Sequence, residues 1–428
     1  MLSPSLLPFR RHPWRGVVLL CCALGVCLAE PALALGPHQP SPQPPLPASA
    51  FYRRLPDAQL ALVPAPAVTS RPLGTAWIYL APNGESFIHL GAHGAEVHLA
   101  QGQHPLSLRT QTGPVYRAAF SPGMKRVALL TEEGEVAIFA LPSGKREWTA
   151  NFPHVFGEAE LVFDGDDALE FEFGCQLYRV RPGAGAQIRA QPVSPRFCDE
   201  ARAGNTHPSF RHSDDGTRWI ALPRNDLVFI GERQGFLSLH ELDPRTGTDR
   251  IALAASAADP LLDVVLSPSG DRACYARRDL LWRCLPLPAA GASTGAAGAA
   301  SEELLVPGIA GRSASFDATS THLLASVEAS GAQSDLFSFD LRAHTATLLA
   351  RLVLERSAFL EGDMRVLAWV ESGPGSLTVL EPGAQKRFEL FPNQELGQVA
   401  AVPGQADRFA IGKERGGTAD MLEITLAQ

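Results

Sequence analysis

The chain has 428 residues, a formal net charge of −8, and charged residues that make up 19% of its composition. A mildly acidic protein with charges of both signs argues against a nucleic-acid partner. The hydrophobic fraction of 45% and the length are sufficient for a large buried core, so the composition is that of a globular protein.

The N-terminus has the pattern of an export signal. Three arginines within the first 15 residues precede an apolar stretch from Gly16 to Ala29, and small residues follow up to Ala34. The apolar stretch is shorter than a membrane-spanning helix requires. We predict a signal peptide over residues 1–34 and a secreted or periplasmic mature chain without a transmembrane segment.

The rest of the chain divides into a linker and one domain. Residues 35–57 are rich in proline and are predicted to form an extended linker. Residues 58–428 lack helical periodicity of useful length and contain short runs of strand-forming residues. We therefore predict a single all-β domain over residues 58–428.

A short phrase recurs about every forty residues along this domain: an apolar run, a turn of the type Ser-Pro-x-Gly, and a second apolar run. The clearest copy has Val115–Phe120 as the first run and Arg126–Leu130 as the second. Such a repeat predicts a β-propeller built from four-stranded antiparallel blades. Related turns occur at Ala81–Gly84, Asp164–Asp166, Ser213–Gly216, Ser267–Gly270 and Asp317–Thr319.

The repeat predicts eight blades, with seven as the alternative. The eight units are expected to begin near Thr75, Gly113, Glu158, Pro208, Leu261, Arg312, Glu355 and Gly397. The last unit has only three strand-like runs. We expect an N-terminal strand, Gln59–Val63, to supply the missing outer strand and so close the ring.

The turns between first and second strands resemble those of WD-repeat-like propellers of the TolB type. The resemblance covers residues 75–428 and rests on Ser-Pro-x-Gly turns such as Ser267–Gly270. It implies the propeller fold and protein partners, while the Gly-His and Trp-Asp pairs of true WD repeats are absent. Because many activities occur on propellers, the resemblance does not specify a function.

The unusual polar and aromatic insertions are predicted to share one face of the ring. In a meander blade, the loops between second and third strands lie on the same face as the links between blades. We call this the loop face; it includes the 191–207 link, the 225–235 loop and the 277–279 turn. The candidate binding residues there are Arg196, His207, Arg224, Asp226, Phe229, Glu232, Arg233, Arg277 and Arg278. The alternative is that these insertions are simply tolerated in surface loops and have no binding role.

Four histidines occur together in the first predicted blade. His89 and His98 are expected opposite each other across a hairpin that turns at His93-Gly94, with Glu96 nearby. Imidazoles in this arrangement suit zinc or copper, and ordinary surface histidines are the alternative. We predict no cofactor, and we leave open the alternative that His89, His93 and His98 bind a divalent metal ion.

Four cysteines remain after the predicted signal peptide, which is an even number. In an oxidising compartment this favours disulfides. Cys274 and Cys284 flank a turn at Asp279 and are predicted to pair, leaving Cys175 to pair with Cys198. Free thiols are the alternative.

The leading hypothesis is an exported, monomeric propeller that acts as a protein-binding scaffold or accessory factor of the cell envelope. The sequence has no nucleophile elbow, phosphate-binding loop or haem-attachment motif. Two alternatives stay open: a hydrolase or lyase of the lactonase kind with its site at the channel mouth, and a propeller that binds a sugar or another small ligand.

Overall fold

In the computed structural model, residues 47–428 form one compact unit. The residues that the structure describes run from 47 to 426 with internal gaps. These gaps are 76–77, 101–103, 153–159, 174–175, 184–187, 193–208, 215, 217, 223–227, 231–232, 244, 247, 288–301, 331–332, 361–364, 371–373, 404 and 416–417.

The N-terminal arm comprises a 3-10 turn at Ala48–Ala50 and three strands, none of which belongs to the first blade. The strands are β1 (Arg53–Arg54), β2 (Ala61–Leu62) and β3 (Val68–Thr75). Because β1 lies inside the segment predicted as a linker, the folded part of the chain begins earlier than residue 58.

The first four blades each contain a four-stranded antiparallel meander. Blade 1 contains β4 (Ile78–Leu80), β5 (Phe87–Gly91), β6 (Gly94–His98) and β7 (Leu106–Arg109). Blade 2 contains β8 (Val115–Phe120), β9 (Arg126–Thr131), β10 (Glu135–Ala140) and β11 (Arg146–Asn151). Blade 3 contains β12 (Leu161–Asp164), β13 (Ala168–Phe173), β14 (Gln176–Val180) and β15 (Ile188–Pro192). Blade 4 contains β16 (Ser209–His212) and β17 (Trp219–Leu222), then an inserted hairpin of β18 (Val228–Ile230) and β19 (Arg233–Phe236), then β20 (Ser238–Asp243) and β21 (Thr248–Ala254).

The second four blades complete the ring. Blade 5 contains β22 (Leu261–Leu266), β23 (Arg272–Ala276), β24 (Trp282–Pro286) and β25 (Glu303–Leu304). Blade 6 contains β26 (Ala310–Phe316), β27 (His322–Glu328), β28 (Ser334–Asp340) and β29 (Thr345–Leu352). Blade 7 contains β30 (Arg356–Phe359), β31 (Val366–Trp369), β32 (Gly375–Glu381), a 3-10 turn at Pro382–Ala384 and β33 (Lys386–Gln394). Blade 8 contains β34 (Leu396–Ala401), β35 (Arg408–Arg415) and β36 (Thr418–Leu426), with β3 as its outer strand.

The described chain is thus an all-β, eight-bladed propeller, as the sequence predicted, and seven blades are excluded. The inner strands of a blade are apolar on both sides because each blade is packed between two others. In blade 2, β9 and β10 are buried along almost their whole length, whereas β11 alternates between half-buried and exposed residues. The core is therefore a series of apolar layers between neighbouring blades.

Two of the turns between first and second strands share one construction. Ser213 and Ser267 each accept a hydrogen bond at Oγ from the backbone N–H five residues later, at 3.0 and 3.1 Å. The fourth residue of each turn is a glycine with positive φ, Gly216 or Gly270. The turns between first and second strands define the turn face, opposite the loop face: residues 81–86, 121–125, 165–167, 213–218, 267–271 and 317–321.

The first and last blades meet through the N-terminal arm. The arm strand β3 pairs antiparallel with β36, from Val68 opposite Leu426 to Thr75 opposite Asp420. The prediction that Gln59–Val63 supplies this strand was wrong, because Ala61–Leu62 instead runs parallel to β33 of blade 7. Similarly, β1 runs parallel to β29 of blade 6. The arm therefore adds a strand to the outer edges of blades 6 and 7 before it completes blade 8.

No helix among the described residues has the length and apolarity needed to cross a membrane.

Candidate functional site

Much of the loop face over blades 4 and 5 is a paired hairpin rather than a simple loop. Of the predicted 225–235 loop, residues 228–230 and 233–235 lie in β18 and β19, which pair with each other. The second strand then pairs with the innermost strand of blade 5, Gly235 with Leu262 and Phe236 with Leu261. An insertion from blade 4 is therefore fixed by backbone hydrogen bonds to the inner edge of blade 5.

Arg233 anchors this hairpin to two blades. Its Nη1 lies 3.0 Å from Asp263 Oδ2 of blade 5, and its Nη2 lies 2.9 Å from Glu328 Oε1 of blade 6 and also donates to the carbonyl of Ala310. The residue is only 9% exposed. A buried guanidinium with these partners holds the loop face together, so Arg233 is a positioning residue and presents little surface to a partner.

Arg277 is likewise committed to neighbouring carboxylates. Its Nε donates to Glu302 Oε1 at 3.1 Å, and its Nη1 donates to Asp259 Oδ2 at 3.1 Å. The pKa of Arg277 is raised even though burial opposes the shift, because the hydrogen bond to Glu302 and the two carboxylates favour the charged form. The side chain of Arg278 is exposed, and its Nη1 donates to the carbonyl of Ala258 at 3.2 Å.

The other predicted binding residues give less information. Phe229 lies in β18, opposite Gln234, and only its backbone position is described. Arg196, His207, Arg224, Asp226 and Glu232 lie outside the described residues. The structure thus places Arg233, Arg277 and Arg278 on the loop face and leaves the role of the set as a prediction.

Two exposed apolar side chains on the loop face were not singled out from the sequence. Ile309, in the link from blade 5 to blade 6, is 47% exposed, and Val353, in the link from blade 6 to blade 7, is 57% exposed. The other large apolar side chains exposed within the described chain, Leu62 and Ile251, lie on outer strands. The sequence signal for such an exposed apolar side chain was a β-branched residue inside a short link between blades, as in Gly308-Ile309.

The histidine hairpin has a different register from the predicted one. His89 pairs with Glu96, and His98 pairs with Phe87. The ring of His98 stacks on Phe87 at 4.3 Å between centroids, and its Nε2 lies 4.0 Å from Glu96 Oε2. Burial lowers the pKa of His98 in spite of this carboxylate. His93 is exposed in the turn.

The described residues add no support for a divalent metal at the histidines of blade 1. Within the described ranges, no three histidine, cysteine, aspartate or glutamate side chains come together as a metal site. The assignment of a metal to His89, His93 and His98 stays a prediction.

The disulfide between Cys274 and Cys284 is present, as predicted. The two residues are direct partners in the pairing of β23 with β24, and both are fully buried. Cys175 and Cys198 lie outside the described residues, so their pairing stays a prediction.

A cavity of about 590 Å³ lies at the seam between blade 8 and blade 1, toward the turn face. Its wall includes His98, and it also includes basic residues of blade 8 that the sequence analysis did not identify. The side chains that line the cavity include Arg71, Leu73, Glu85, Phe87, His98, His104 and Arg408.

Comparisons with known proteins identify the fold. No protein-family model matches the chain, and no curated protein sequence matches it. Among solved structures, the Dos1 propeller is 13% identical, with a TM-score of 0.54 over 84% of this chain and 94% of the other. An oligogalacturonate lyase in complex with manganese is 10% identical, with a TM-score of 0.52 over 84% and 91%. Saccharomyces cerevisiae Sqt1 is 11% identical, with a TM-score of 0.48 over 87% and 99%. The likeness to the Dos1 propeller confirms the β-propeller fold.

Proposed function

We propose that this protein is an exported β-propeller that binds another protein across its loop face, as a scaffold or accessory factor of the cell envelope. The observation that carries the proposal is the distribution of exposed large apolar side chains. Within the described residues, two of them, Ile309 and Val353, lie in adjacent links of the loop face, and none lies on the turn face. Apolar side chains exposed on one face favour that face as the place where a protein partner binds, because the centre of a protein interface is more apolar than its rim.

The described part of the loop face is held in place by backbone pairing and by ion pairs. Backbone pairing holds the β18–β19 hairpin against blade 5, and Arg233 ties it to Glu328 of blade 6. Arg277 joins the 277–281 turn to the preceding link through Asp259. A preorganised surface loses less conformational entropy on binding than a flexible loop does.

Export is supported by the N-terminal sequence and by the buried disulfide. Three arginines followed by the apolar stretch Gly16–Ala29 are typical of a signal peptide. A disulfide such as Cys274–Cys284 persists mainly in oxidising compartments. We expect the protein isolated from fractionated cells to be periplasmic or secreted and to begin after Ala34, which N-terminal sequencing checks. A cytosolic protein with an intact N-terminus would contradict the export proposal.

The test of partner binding is a matched pair of double variants. Ile309→Asp with Val353→Asp places two carboxylates on the loop face, whereas Leu62→Asp with Ile251→Asp places two on the outer rim. Both pairs replace exposed side chains, so we expect little change in melting temperature. The measurement is quantitative crosslinking and capture from an envelope extract, compared with the wild type.

We expect the loop-face variant to lose the captured partner and the rim variant to retain it. Equal capture by the two double variants, or loss only from the rim variant, would overturn the assignment of the loop face.

A further inference from the structure

The cavity between blade 8 and blade 1 has the charge distribution of an anion-binding site along one wall. Arg71 and Arg408 share a single carboxylate: Arg71 Nη2 lies 2.5 Å from Glu423 Oε2, and Arg408 Nε lies 3.1 Å from Glu423 Oε1. Glu423 is only 6% exposed. Two guanidinium groups with one buried carboxylate leave an excess positive charge on this wall, and the carboxylate of Glu85 balances that charge in the cavity as a whole.

Arg71 retains free hydrogen-bonding capacity toward the cavity. Its side chain is about half exposed, at 54%, and within the described chain its one hydrogen-bond partner is Glu423, through Nη2. A guanidinium has five N–H donors in a planar fork, which matches the two oxygens of a carboxylate. A ligand carboxylate can therefore bind Arg71 without displacing Glu423.

The remaining walls suit a ligand that also carries hydroxyl groups. His98 and His104 offer ring nitrogens, and Glu85 offers a carboxylate that accepts hydrogen bonds. Leu73 and the stacked ring of Phe87 provide an apolar floor. The volume of about 590 Å³ falls within the range of small-molecule sites.

The seam beside this cavity is closely packed, so the cavity is not a gap left by loose closure of the ring. A Cβ at Gly84 of blade 1 would lie 2.1 Å from the carbonyl oxygen of Pro403 of blade 8. The φ of Gly84 is also positive, at 66°. The two blades thus meet backbone to backbone at the turn face while the cavity stays open beside them.

We infer that the cavity between blades 8 and 1 binds a small organic carboxylate that carries hydroxyl groups, with Arg71 and Arg408 holding the carboxylate. This site lies on the turn face, so it is separate from the protein-binding surface proposed above, and either assignment can fail without the other.

Isothermal titration calorimetry with D-gluconate tests the inference, with sorbitol as the uncharged analogue and inorganic phosphate as a different anion. We expect gluconate to bind the wild type with a Kd on the order of 1 mM or lower, and sorbitol and phosphate to bind at least about tenfold more weakly. No heat from gluconate at ~10 mM, or equal affinity for either control compound, would overturn the inference.

Two variants locate the site. Ala100→Trp fills the mouth of the cavity at an exposed lining position, and Ala343→Trp adds the same side chain at an exposed position in the corresponding turn of blade 6. We expect the Ala100 variant to lose at least about tenfold in gluconate affinity and the Ala343 variant to keep wild-type affinity.

Arg71→Gln should also lose about tenfold in affinity, and its melting temperature reports whether blade 8 stays closed. Wild-type affinity in the Ala100→Trp variant, with an unchanged melting temperature, would place gluconate elsewhere and overturn the inference.

Discussion

The seam between blades 3 and 4 and the seam between blades 5 and 6 each contain a fully buried tryptophan that is hydrogen-bonded to the neighbouring blade. Trp219 Nε1 donates to Glu170 Oε2 at 2.8 Å, whereas Trp282 Nε1 donates to the backbone carbonyl of Ser326 at 2.8 Å. In both seams a tryptophan joins two blades, but its hydrogen-bond acceptor is an ionisable carboxylate in the first seam and a neutral backbone carbonyl in the second. The difference implies that the two seams respond to different conditions.

The seam between blades 3 and 4 is charged. Arg179 pairs with both Glu170 and Asp164, and Arg245 lies 2.5 Å from Asp164 Oδ1. Burial raises the pKa of Glu170 to about 7, against the opposing effects of Trp219 and Arg179. The ionisation of this seam therefore changes near neutral pH.

Around Trp282 the seam between blades 5 and 6 is apolar. Trp282 packs with the Cys274–Cys284 disulfide and with aromatic residues of blade 6, including Phe337 and Phe339. Tyr52 of the N-terminal arm joins the same cluster. Its stability is expected to depend on oxidation rather than on pH.

The largest effects are expected from truncating the two tryptophans. Trp219→Ala and Trp282→Ala should each lower the free energy of unfolding by about 3–5 kcal/mol through lost burial and the cavity that remains. At pH 8, Trp219→Ala should lower the free energy of unfolding by about 1–3 kcal/mol more than Trp282→Ala does, because it also removes a hydrogen-bond donor from the buried carboxylate of Glu170. Denaturant unfolding at pH 8 and pH 5 measures both variants, and the extra cost should shrink at pH 5. If the extra cost of Trp219→Ala over Trp282→Ala were the same at pH 8 and pH 5, the proposed difference between the two seams would be wrong.

The next largest effect is expected from removal of the disulfide beside the seam between blades 5 and 6. Cys274→Ala with Cys284→Ala should lower the free energy of unfolding by about 2–4 kcal/mol, because the unfolded chain gains freedom. Reduction of the wild type should lower its stability by at least as much, and any response to reductant that remains in a thermal melt of the double variant would report the predicted pairing of Cys175 with Cys198. A variant as stable as the oxidised wild type would show that the cross-link contributes little there.

A smaller, pH-dependent effect belongs to Glu170. Because its pKa is raised from 4.5 to about 7 in the folded protein, the folded state binds a proton that the unfolded state releases between these values. Stability should therefore fall, on the order of 1–3 kcal/mol, as the pH rises from about 4.5 to about 7. Glu170→Gln, which keeps an acceptor for Trp219, should flatten this part of the profile. An unchanged profile would place the titrating group elsewhere.

The smallest effect is expected at Arg245, whose side chain is 47% exposed. Arg245→Ala should lower the free energy of unfolding by less than about 1 kcal/mol at low salt, and by less still at high salt, because solvent screens this ion pair. Its hydrogen bonds and those of Arg179 outweigh burial and lower the pKa of Asp164. If Arg245→Ala lowered the free energy of unfolding as much as either tryptophan variant does, the exposed ion pair of Arg245 with Asp164 would stabilise the seam as much as a buried tryptophan does.

The fold could be predicted from the sequence because its signals are local. Turns such as Ser213–Gly216 specify their own geometry, and the Cys274–Cys284 pair is joined by a short hairpin. The strand that closes the ring was misassigned because Pro72 interrupts β3 and lowers its strand signal. Such a proline is tolerated at an edge strand, where the pairing with β36 also shifts register after Pro72.

The site was less predictable because its contacts join residues that lie far apart in the chain. Arg233 was identified as a binding residue, but its pairing with Glu328 depends on how blade 6 lies beside the hairpin. Likewise, Arg71 and Arg408 share Glu423 only because the two ends of the chain meet in one sheet. No spacing in the sequence encodes that meeting.

The pairing of β3 with β36 has a consequence for the order of folding. Val68, near the start of the domain, is the partner of Leu426, near its end, so blade 8 forms only after almost the whole chain is available. Contacts of such long sequence separation form slowly, because the entropy of loop closure must be overcome first. During that delay the free edge of β36 is open to pairing with another chain. The ring is therefore expected to fold from its middle blades toward a late closure, and the interval before closure is when this protein is most prone to aggregate.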